Sequence, residues 1–207
     1  RRLPSQATEV CRSLAAMLKP DVRLLIAVPT MGSVHPILVS RLIKWGQSYG
    51  EQVSFYFTFK VSPVDRARNQ IVEFFLGSER RFTHLLMIDS DTIPPEDAVE
   101  RLLSHGVPVV TGLTPILSYN EEGGWQSYDN AFVEVERDAA GRVTKTHIAE
   151  RHSGLQEIFR CGASCLLVER SVLASLGTPY FLFETNPENT KHVRSEDIQF
   201  CDRVRQH

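Results

Sequence analysis

The sequence has few cysteines, no long apolar run and almost no excess charge of either sign. Its 207 residues include four cysteines, and 23 Lys and Arg stand against 25 Asp and Glu, a formal net charge of −2. No apolar run approaches the roughly 20 residues of a membrane-spanning helix. No basic block suits a dedicated binder of duplex DNA or of anionic membranes. The 42% hydrophobic content excludes a disordered chain. We expect one globular domain over residues 1–207.

The cysteines favour neither a zinc site nor a disulfide framework. Only Cys161 and Cys165 are close in sequence, and one C-x-x-x-C pair without a second pair is a weak zinc signal. We expect reduced thiols, three of them buried among apolar neighbours. The first residues also lack the apolar core of a signal peptide. We therefore expect a cytoplasmic, reducing setting.

In the first half of the chain, short apolar runs alternate with helical patterns. The helical patterns lie at residues 5–19, 37–45, 64–76 and 94–105, and the strand patterns lie at 22–28, 53–59, 84–88 and 107–110. This alternation predicts an α/β fold with a Rossmann-like, mixed but mostly parallel central sheet and helices on both faces.

The second half changes character. Residues 131–136 alternate apolar and polar side chains, and 143–148 can return across a turn as an antiparallel partner, which predicts a small antiparallel addition to the sheet. A further strand at 164–168 and helices at 170–176 and 195–206 are expected. The last helical pattern runs to the end of the sequence, so we expect a truncated C-terminus. Two segments, 114–130 and 185–194, are expected to be long functional loops.

Two carboxylates follow the most apolar of these strands, in Asp89-Ser90-Asp91. Ligands of open parallel sheets bind beyond the carboxyl ends of the strands. Two carboxylates on one turn repel each other unless a cation lies nearby. A divalent ion that binds both carboxylates and a diphosphate would offset their negative charges. The alternative from these residues alone is that the aspartates cap the following helix.

Two further polar segments begin helices. In Asp65 to Asn69, Arg68 is suited to bind an anion at a helix N-terminus. The alternative is that Asp65 is an N-cap and the arginines are solvated. Glu196 and Asp197 begin the last helix, where they either complement the helix dipole or supply a general base.

Taken in order, these segments resemble the GT-A class of nucleotide-sugar glycosyltransferases, in particular the large inverting group called family two. The resemblance covers residues 22–205. It implies a GT-A type fold with a nucleotide-binding half at 22–112 and an acceptor-binding half at 113–207. The segments that carry the resemblance are Val28-Pro29-Thr30, Ala67-Arg68-Asn69, Ile88-Asp89-Ser90-Asp91, Cys161-Gly162-Ala163 and Ser195-Glu196-Asp197.

The resemblance implies a UDP- or GDP-linked sugar as donor and Mn2+ or Mg2+ as cofactor. Asp89 and Asp91 would hold the metal ion, which stabilises the leaving nucleoside diphosphate. The residues that would contact the donor are Pro29, Thr30, Asp65, Arg68, Asn69, Asp89, Ser90 and Asp91.

On the acceptor side, the resemblance implies that Asp197, next to Glu196, takes the proton from the attacking hydroxyl. Gly162 and Ala163 would face the acceptor, which can be a small molecule, a glycan or another hydroxyl compound. The candidates for stacking against the acceptor are Trp125 and Tyr128.

The sequence also departs from the family pattern. The Q-x-x-R-W pattern of polysaccharide synthases is absent, which disfavours a processive membrane enzyme, and His207 is poorly placed as a metal ligand downstream of Asp197. Three alternatives stay open: a retaining glycosyltransferase, a nucleotidyltransferase-like enzyme and a non-catalytic nucleotide-sugar-binding domain.

Overall fold

The computed structural model describes residues 18–120, 123–139, 143–151, 154–186, 188 and 192–206. The helix expected at 5–19 lies outside the described residues up to position 17, and residues 18 and 19 are not helical.

Strands and short helices alternate along the described chain. The helices are α1 (Pro36–Tyr49), α2 (Val64–Gly77), α3 (Ala98–Ser104), α4 (Arg170–Leu176) and α5 (Glu196–Val204), with a 3₁₀ turn at Gly50–Gln52. The strands are β1 (Leu24–Thr30), β2 (Val53–Phe59), β3 (His84–Ile88), β4 (Val109–Thr111), β5 (Pro115–Asn120), β6 (Gly124–Asp129), β7 (Ala131–Arg137), β8 (Val143–Ile148), β9 (Arg160–Cys161), β10 (Cys165–Glu169), β11 (Glu184–Thr185) and β12 (His192–Arg194).

The central sheet has five strands in the order β2-β1-β3-β10-β4. Strand β1 pairs in parallel with β2 and with β3, whereas β10 runs antiparallel to both β3 and β4. The prediction of a mixed α/β sheet is therefore confirmed. The reversed strand β10 comes from the second half of the chain and joins β3 to β4, so both halves contribute to one sheet.

The inner strands β1, β3 and β10 of this sheet are buried on both faces. Every residue of β1 is buried. Leu25 and Ala27 pack in a core with apolar residues of α2, α4 and α5. Leu24, Ile26 and Val28 point the other way, into a core with α1 and α3. Strands buried on both faces are continuous apolar runs, which is why the sequence pattern located them.

The antiparallel additions are a hairpin of β5 and β6 and a three-stranded sheet in the order β8-β7-β9. The expectation of an irregular loop at 114–130 was wrong, because Ile116 pairs with Tyr128 and Tyr119 with Trp125 in a regular ladder. Of the glycines that suggested a loop, Gly123 lies in the turn and Gly124, with φ 71°, begins β6. In the predicted loop at 185–194, β11 and β12 form a short antiparallel pair.

Several boundaries differ from the predictions. Helix α3 begins at Ala98, four residues after Pro94, so the Pro-Pro pair precedes the helix instead of opening it. Helix α5 ends at Val204. No helix in the described part of the chain has the length and apolar content that crossing a bilayer requires.

Candidate active site

A cleft of about 1450 Å³ opens at the carboxyl end of β3. Its lining combines segments that are far apart in sequence. Asp89 and Asp91 follow β3, and Gly162 precedes β10. Arg68 lies near the start of α2, and Asp197 lies in the first turn of α5. The cleft therefore contains residues from four of the five segments that carry the family resemblance.

Arg68 connects the two acidic motifs. Its side chain is only 4% exposed. One terminal nitrogen donates to both carboxylate oxygens of Asp89, at 2.9 and 3.2 Å, and the other donates to Glu196. The guanidinium also lies 5.9 Å from the centre of the Phe181 ring. Arg68 is the fifth residue of α2, and its contact with Asp89 ties the start of this helix to the turn after β3.

Glu196 is buried, and its surroundings act on its charge in opposite directions. Burial raises the pKa of the Glu196 carboxyl, whereas the positive charge of Arg68 lowers it. A buried carboxylate is stable only with a charged or hydrogen-bonded partner. Glu196 is therefore the buried ion-pair partner of Arg68, and it also lines the cleft.

The two aspartates after β3 have different surroundings. The Asp89 side chain is 29% exposed and accepts hydrogen bonds from Arg68. Asp91 is exposed and lines the cleft. Backbone hydrogen bonds hold this turn in place. The Asp89 N–H donates to the Ser164 carbonyl at 3.0 Å, and the His35 N–H donates to the Ser90 carbonyl at 2.8 Å. The turn therefore presents Asp91 on a fixed backbone.

Asp197 is held by its own helix terminus. Its Oδ1 accepts the Ile198 N–H at 2.8 Å and the Ser195 hydroxyl. Its Oδ2 lies on the side of Gly162, since a Cβ added to that glycine would lie 3.4 Å from it. One oxygen thus fixes the carboxylate and the other lies toward the 162–164 segment of the cleft.

Sequence reasoning missed Asn130, which organises the opposite wall. Asn130 is 1% exposed. Its side-chain Nδ2 donates to the Ser164 hydroxyl at 2.8 Å, and its backbone carbonyl accepts the Gly162 N–H at 2.8 Å. A Cβ on Gly162 would meet Nδ2 at 2.9 Å, so only glycine fits there. No local sequence signal marks Asn130, because its role depends on partners at other strand ends.

Two thiols lie beside this wall. The sulfurs of Cys161 and Cys201 are 3.7 Å apart, and these residues and Cys165 are free cysteines. The hydrogen bond between the pair raises the pKa of Cys161 and lowers the pKa of Cys201. Burial raises the pKa of Cys165 to about 11. Cys11 lies outside the described residues.

Several residues predicted to contact the nucleotide-sugar donor do not line the cleft. Thr30 is buried, and its hydroxyl donates to the Ser33 carbonyl at 2.6 Å. Asn69 accepts the Tyr180 and Phe181 N–H groups and so joins α2 to the segment after α4. The predicted donor residues outside the cleft lining are Pro29, Thr30, Asp65, Asn69 and Ser90.

The predicted acceptor residues divide in the same way. Gly162 and the buried Ala163 line the cleft, whereas Trp125 and Tyr128 lie on β6 outside its lining. The Trp125 side chain is 72% exposed, and its ring lies 5.5 Å from the ring of Tyr119 in an edge-on arrangement. Leu117, on the same hairpin, does line the cleft, so the hairpin adjoins it.

The charges in the cleft suit a cation that shares its ligands with an anion. Arg68 pairs with Asp89 and Glu196, and Asp91 and Asp197 line the same part of the cleft. Further along, the lining also includes the arginines Arg101, Arg160 and Arg205. Within the described ranges, no group of three or more His, Cys, Asp or Glu side chains is arranged to hold a metal ion. Mg2+ is commonly bound by one or two carboxylates plus substrate phosphates. The carboxylates of Asp89 and Asp91 fit that arrangement, and by themselves they do not complete the coordination of a metal ion.

No family model matches the chain, and no curated protein matches it. Among solved structures, the crystal structure of A197 from STIV matches with a TM-score of 0.57 at 20% sequence identity. The match covers 89% of this chain and 78% of that chain. This likeness supports a shared mixed α/β fold over most of both chains.

Proposed function

We propose that the protein is a metal-dependent glycosyltransferase of the GT-A type, which transfers a sugar from a nucleoside diphosphate to an acceptor hydroxyl. The observation that carries the proposal is the bridge from Asp89 through Arg68 to Glu196. It joins the D-x-D turn, the A-R-N helix and the E-D helix in one cleft. A structural role for each motif alone would not require them to meet.

On this proposal, the donor diphosphate lies over the turn after β3. Asp91, supported by Asp89, would hold Mn2+ or Mg2+, and when bound the ion would supply Lewis-acid stabilisation of the leaving diphosphate. Arg68 keeps Asp89 in position through two hydrogen bonds and offsets part of the negative charge. The exposed side chain of Asp91 is available to an ion that also touches the donor.

Asp197 is the proposed general base. Its Oδ1 is held by the Ile198 N–H and the Ser195 hydroxyl, which orients Oδ2 toward the cleft wall at Gly162. An acceptor hydroxyl beside that wall would give its proton to Oδ2 as the oxygen attacks the sugar. A positioned base of this kind contributes about 10²–10⁴-fold to the rate. The proposed outcome is inversion of the anomeric centre.

Nucleotide-sugar turnover with Mn2+ tests this assignment. UDP- and GDP-sugars are incubated with the protein and simple hydroxyl acceptors, and the anomer of the product is determined by NMR. We expect Asp197→Asn to lower kcat by about 10²-fold or more, because a general base is lost. Glu73→Gln, an exposed acid on α2, is the matched control and should retain full activity. Full activity in Asp197→Asn, or a product of retained configuration, would contradict the assignment.

A further inference from the structure

Strand β2 is an edge of the central sheet, and within the described ranges no strand pairs with its outer side. It is the terminal strand in the order β2-β1-β3-β10-β4. Its sequence, Val-Ser-Phe-Tyr-Phe-Thr-Phe, contains no charged residue and no proline. Monomeric proteins usually protect such edges with charges, prolines or bulges, because unpaired N–H and C=O groups recruit another strand. This edge has none of those devices over Val53–Phe59.

The backbone shows which groups the edge offers. The Lys60 N–H donates to the Thr30 carbonyl of β1 at 2.9 Å. The carbonyl of the preceding residue, Phe59, therefore points away from β1. Since N–H and C=O groups alternate sides along a strand, the odd-numbered residues of β2 direct both groups to the open edge. Four residues, Val53, Phe55, Phe57 and Phe59, thus form a complete set of edge donors and acceptors.

Exposed apolar side chains surround this edge. Phe55, Phe57 and Phe59 are 37%, 44% and 59% exposed. Helix α1 packs over the same face, since a Cβ on Gly46 would lie 3.1 Å from the Phe55 ring. One and two turns earlier on that stripe of α1, Ile43 and Val39 are 56% and 40% exposed. Strand and helix therefore form one continuous apolar surface.

We propose that β2 pairs antiparallel with β2 of a second copy of this chain across a twofold axis at Tyr56. This register places Val53 opposite Phe59 and Phe55 opposite Phe57 as hydrogen-bonded pairs. Tyr56 faces its own counterpart as a non-hydrogen-bonded pair. All seven residues of the strand are paired, and the two five-stranded sheets become one continuous sheet.

Charge and area favour a second copy over an unrelated partner. The exposed residues Glu51 and Lys60 flank opposite ends of β2. Antiparallel pairing brings Glu51 of one copy beside Lys60 of the other at both ends, as an isologous interface requires. The exposed parts of the apolar side chains amount to on the order of 500 Å² per chain, given roughly 150–250 Å² for a large aromatic residue. With the edge backbone added, this approaches the roughly 800 Å² per partner of a standard interface.

The first test is the solution mass of the full chain by sedimentation velocity at micromolar concentrations. We expect a dimer for the wild type and a monomer for Phe57→Lys, because two lysines would then flank the twofold axis. Leu117→Lys is the matched control: Leu117 is 70% exposed on the β5–β6 hairpin, and this variant should stay dimeric. Circular dichroism confirms that each variant is folded. A monomeric wild type would overturn the proposal and leave the edge to another occupant.

The second test fixes the register and does not depend on weakening the interface. Residues of a non-hydrogen-bonded antiparallel pair have Cα atoms about 4.5 Å apart, within the range that a disulfide spans. Tyr56→Cys, oxidised with diamide, should therefore form a covalent dimer that a reductant reverses. Ser54→Cys should not, since its counterpart lies several residues away in the pair. A wild-type dimer in which Tyr56→Cys fails to cross-link would also overturn the proposal.

Discussion

The floor and the rim of the cleft are built in opposite ways. The cleft floor (Arg68, Asp89, Asn130, Gly162 and Glu196) is buried or partly buried, and its polar groups bond to one another across distant parts of the chain. The hairpin rim, strands β5 and β6, exposes aromatic side chains, with Trp125 at 72%. A pre-organised floor suits binding of a highly charged group, whereas an exposed aromatic rim suits a weaker, less specific contact. Substitutions should therefore affect stability at the floor and binding at the rim.

The same division occurs within each acidic motif. Asp89 and Glu196 are bonded to Arg68, whereas Asp91 and Asp197 lie toward the cleft. One acid of each motif thus joins the motifs through Arg68, and the other has no contact with Arg68 and lines the cleft. Both motifs meet at one guanidinium, so the floor should respond as a unit when that guanidinium is removed.

The largest expected effect is that of Arg68→Ala on stability. Removing the guanidinium leaves the buried Glu196 carboxylate unpaired beside Asp89, and breaking a buried ion pair costs about 3–5 kcal/mol. Denaturant unfolding measures the free-energy difference. Arg66→Ala, an exposed arginine two residues earlier, is the control and should change the free energy of unfolding by less than about 0.5 kcal/mol. Equal stability of the two variants would show that the floor is not an integrated unit.

Gly162→Ala should come second. The new Cβ would lie 2.9 Å from the Asn130 Nδ2 and press toward Asp197, and such overpacking costs about 1–3 kcal/mol. Gly77→Ala at the end of α2 meets no atom within 4 Å and should raise the free energy of unfolding by up to about 1 kcal/mol. Thermal unfolding of both variants checks the opposite signs. If both variants gained stability, Gly162 would not be sterically required.

A rim substitution, Trp125→Ala, should leave the free energy of unfolding almost unchanged, because the side chain is mostly exposed. On the proposed function, it should raise KM for the acceptor and leave KM for the donor as in the wild type. Steady-state kinetics with each substrate varied in turn separates the two constants. A loss of affinity for the nucleotide-sugar donor would instead place the hairpin rim in the donor site. It would contradict the proposed division between donor binding at the floor and acceptor binding at the rim.

The smallest effect is expected for Arg151→Ala. Arg151 is 69% exposed and pairs with Asp129 at the end of β6, at 2.6 Å. Its hydrogen bonds lower the pKa of Asp129. The pair therefore stabilises the fold above the ordinary pKa of an aspartate, and this contribution disappears as the pH falls through the lowered value. The melting temperatures of wild type and variant should differ slightly at pH 7 and converge in acid. A difference that grows in acid would contradict this pairing.

The sequence predicted the local elements of the central sheet well. The predicted ranges of β2, β3 and α4 agree with the structure, because an alternating strand (β2), a strand buried on both faces (β3) and a short apolar helix (α4) each have a clear pattern. The β5–β6 hairpin was missed because its glycines resemble a loop, whereas the alternation of side chains around them forms strands.

The site was predictable only in part. Acids after a strand and at a helix start form visible patterns, and the family resemblance singled out Asp89, Asp91 and Asp197, which the structure brings to one cleft. Their unequal surroundings were not predictable, since Arg68 and Glu196 lie 128 positions apart and no local pattern links them. Burial of one acid and exposure of its neighbour is a tertiary property.

The most direct test of the proposed donor site is calorimetric titration of the wild type and Asp91→Asn with UDP- and GDP-sugars, with and without Mn2+. The account predicts that one of these donors binds the wild type with Mn2+ and that its affinity falls at least about tenfold, roughly 1.4 kcal/mol, when either Mn2+ or the Asp91 carboxylate is removed. Donor binding that is indifferent to both Mn2+ and Asp91, or no donor binding at all, would contradict it.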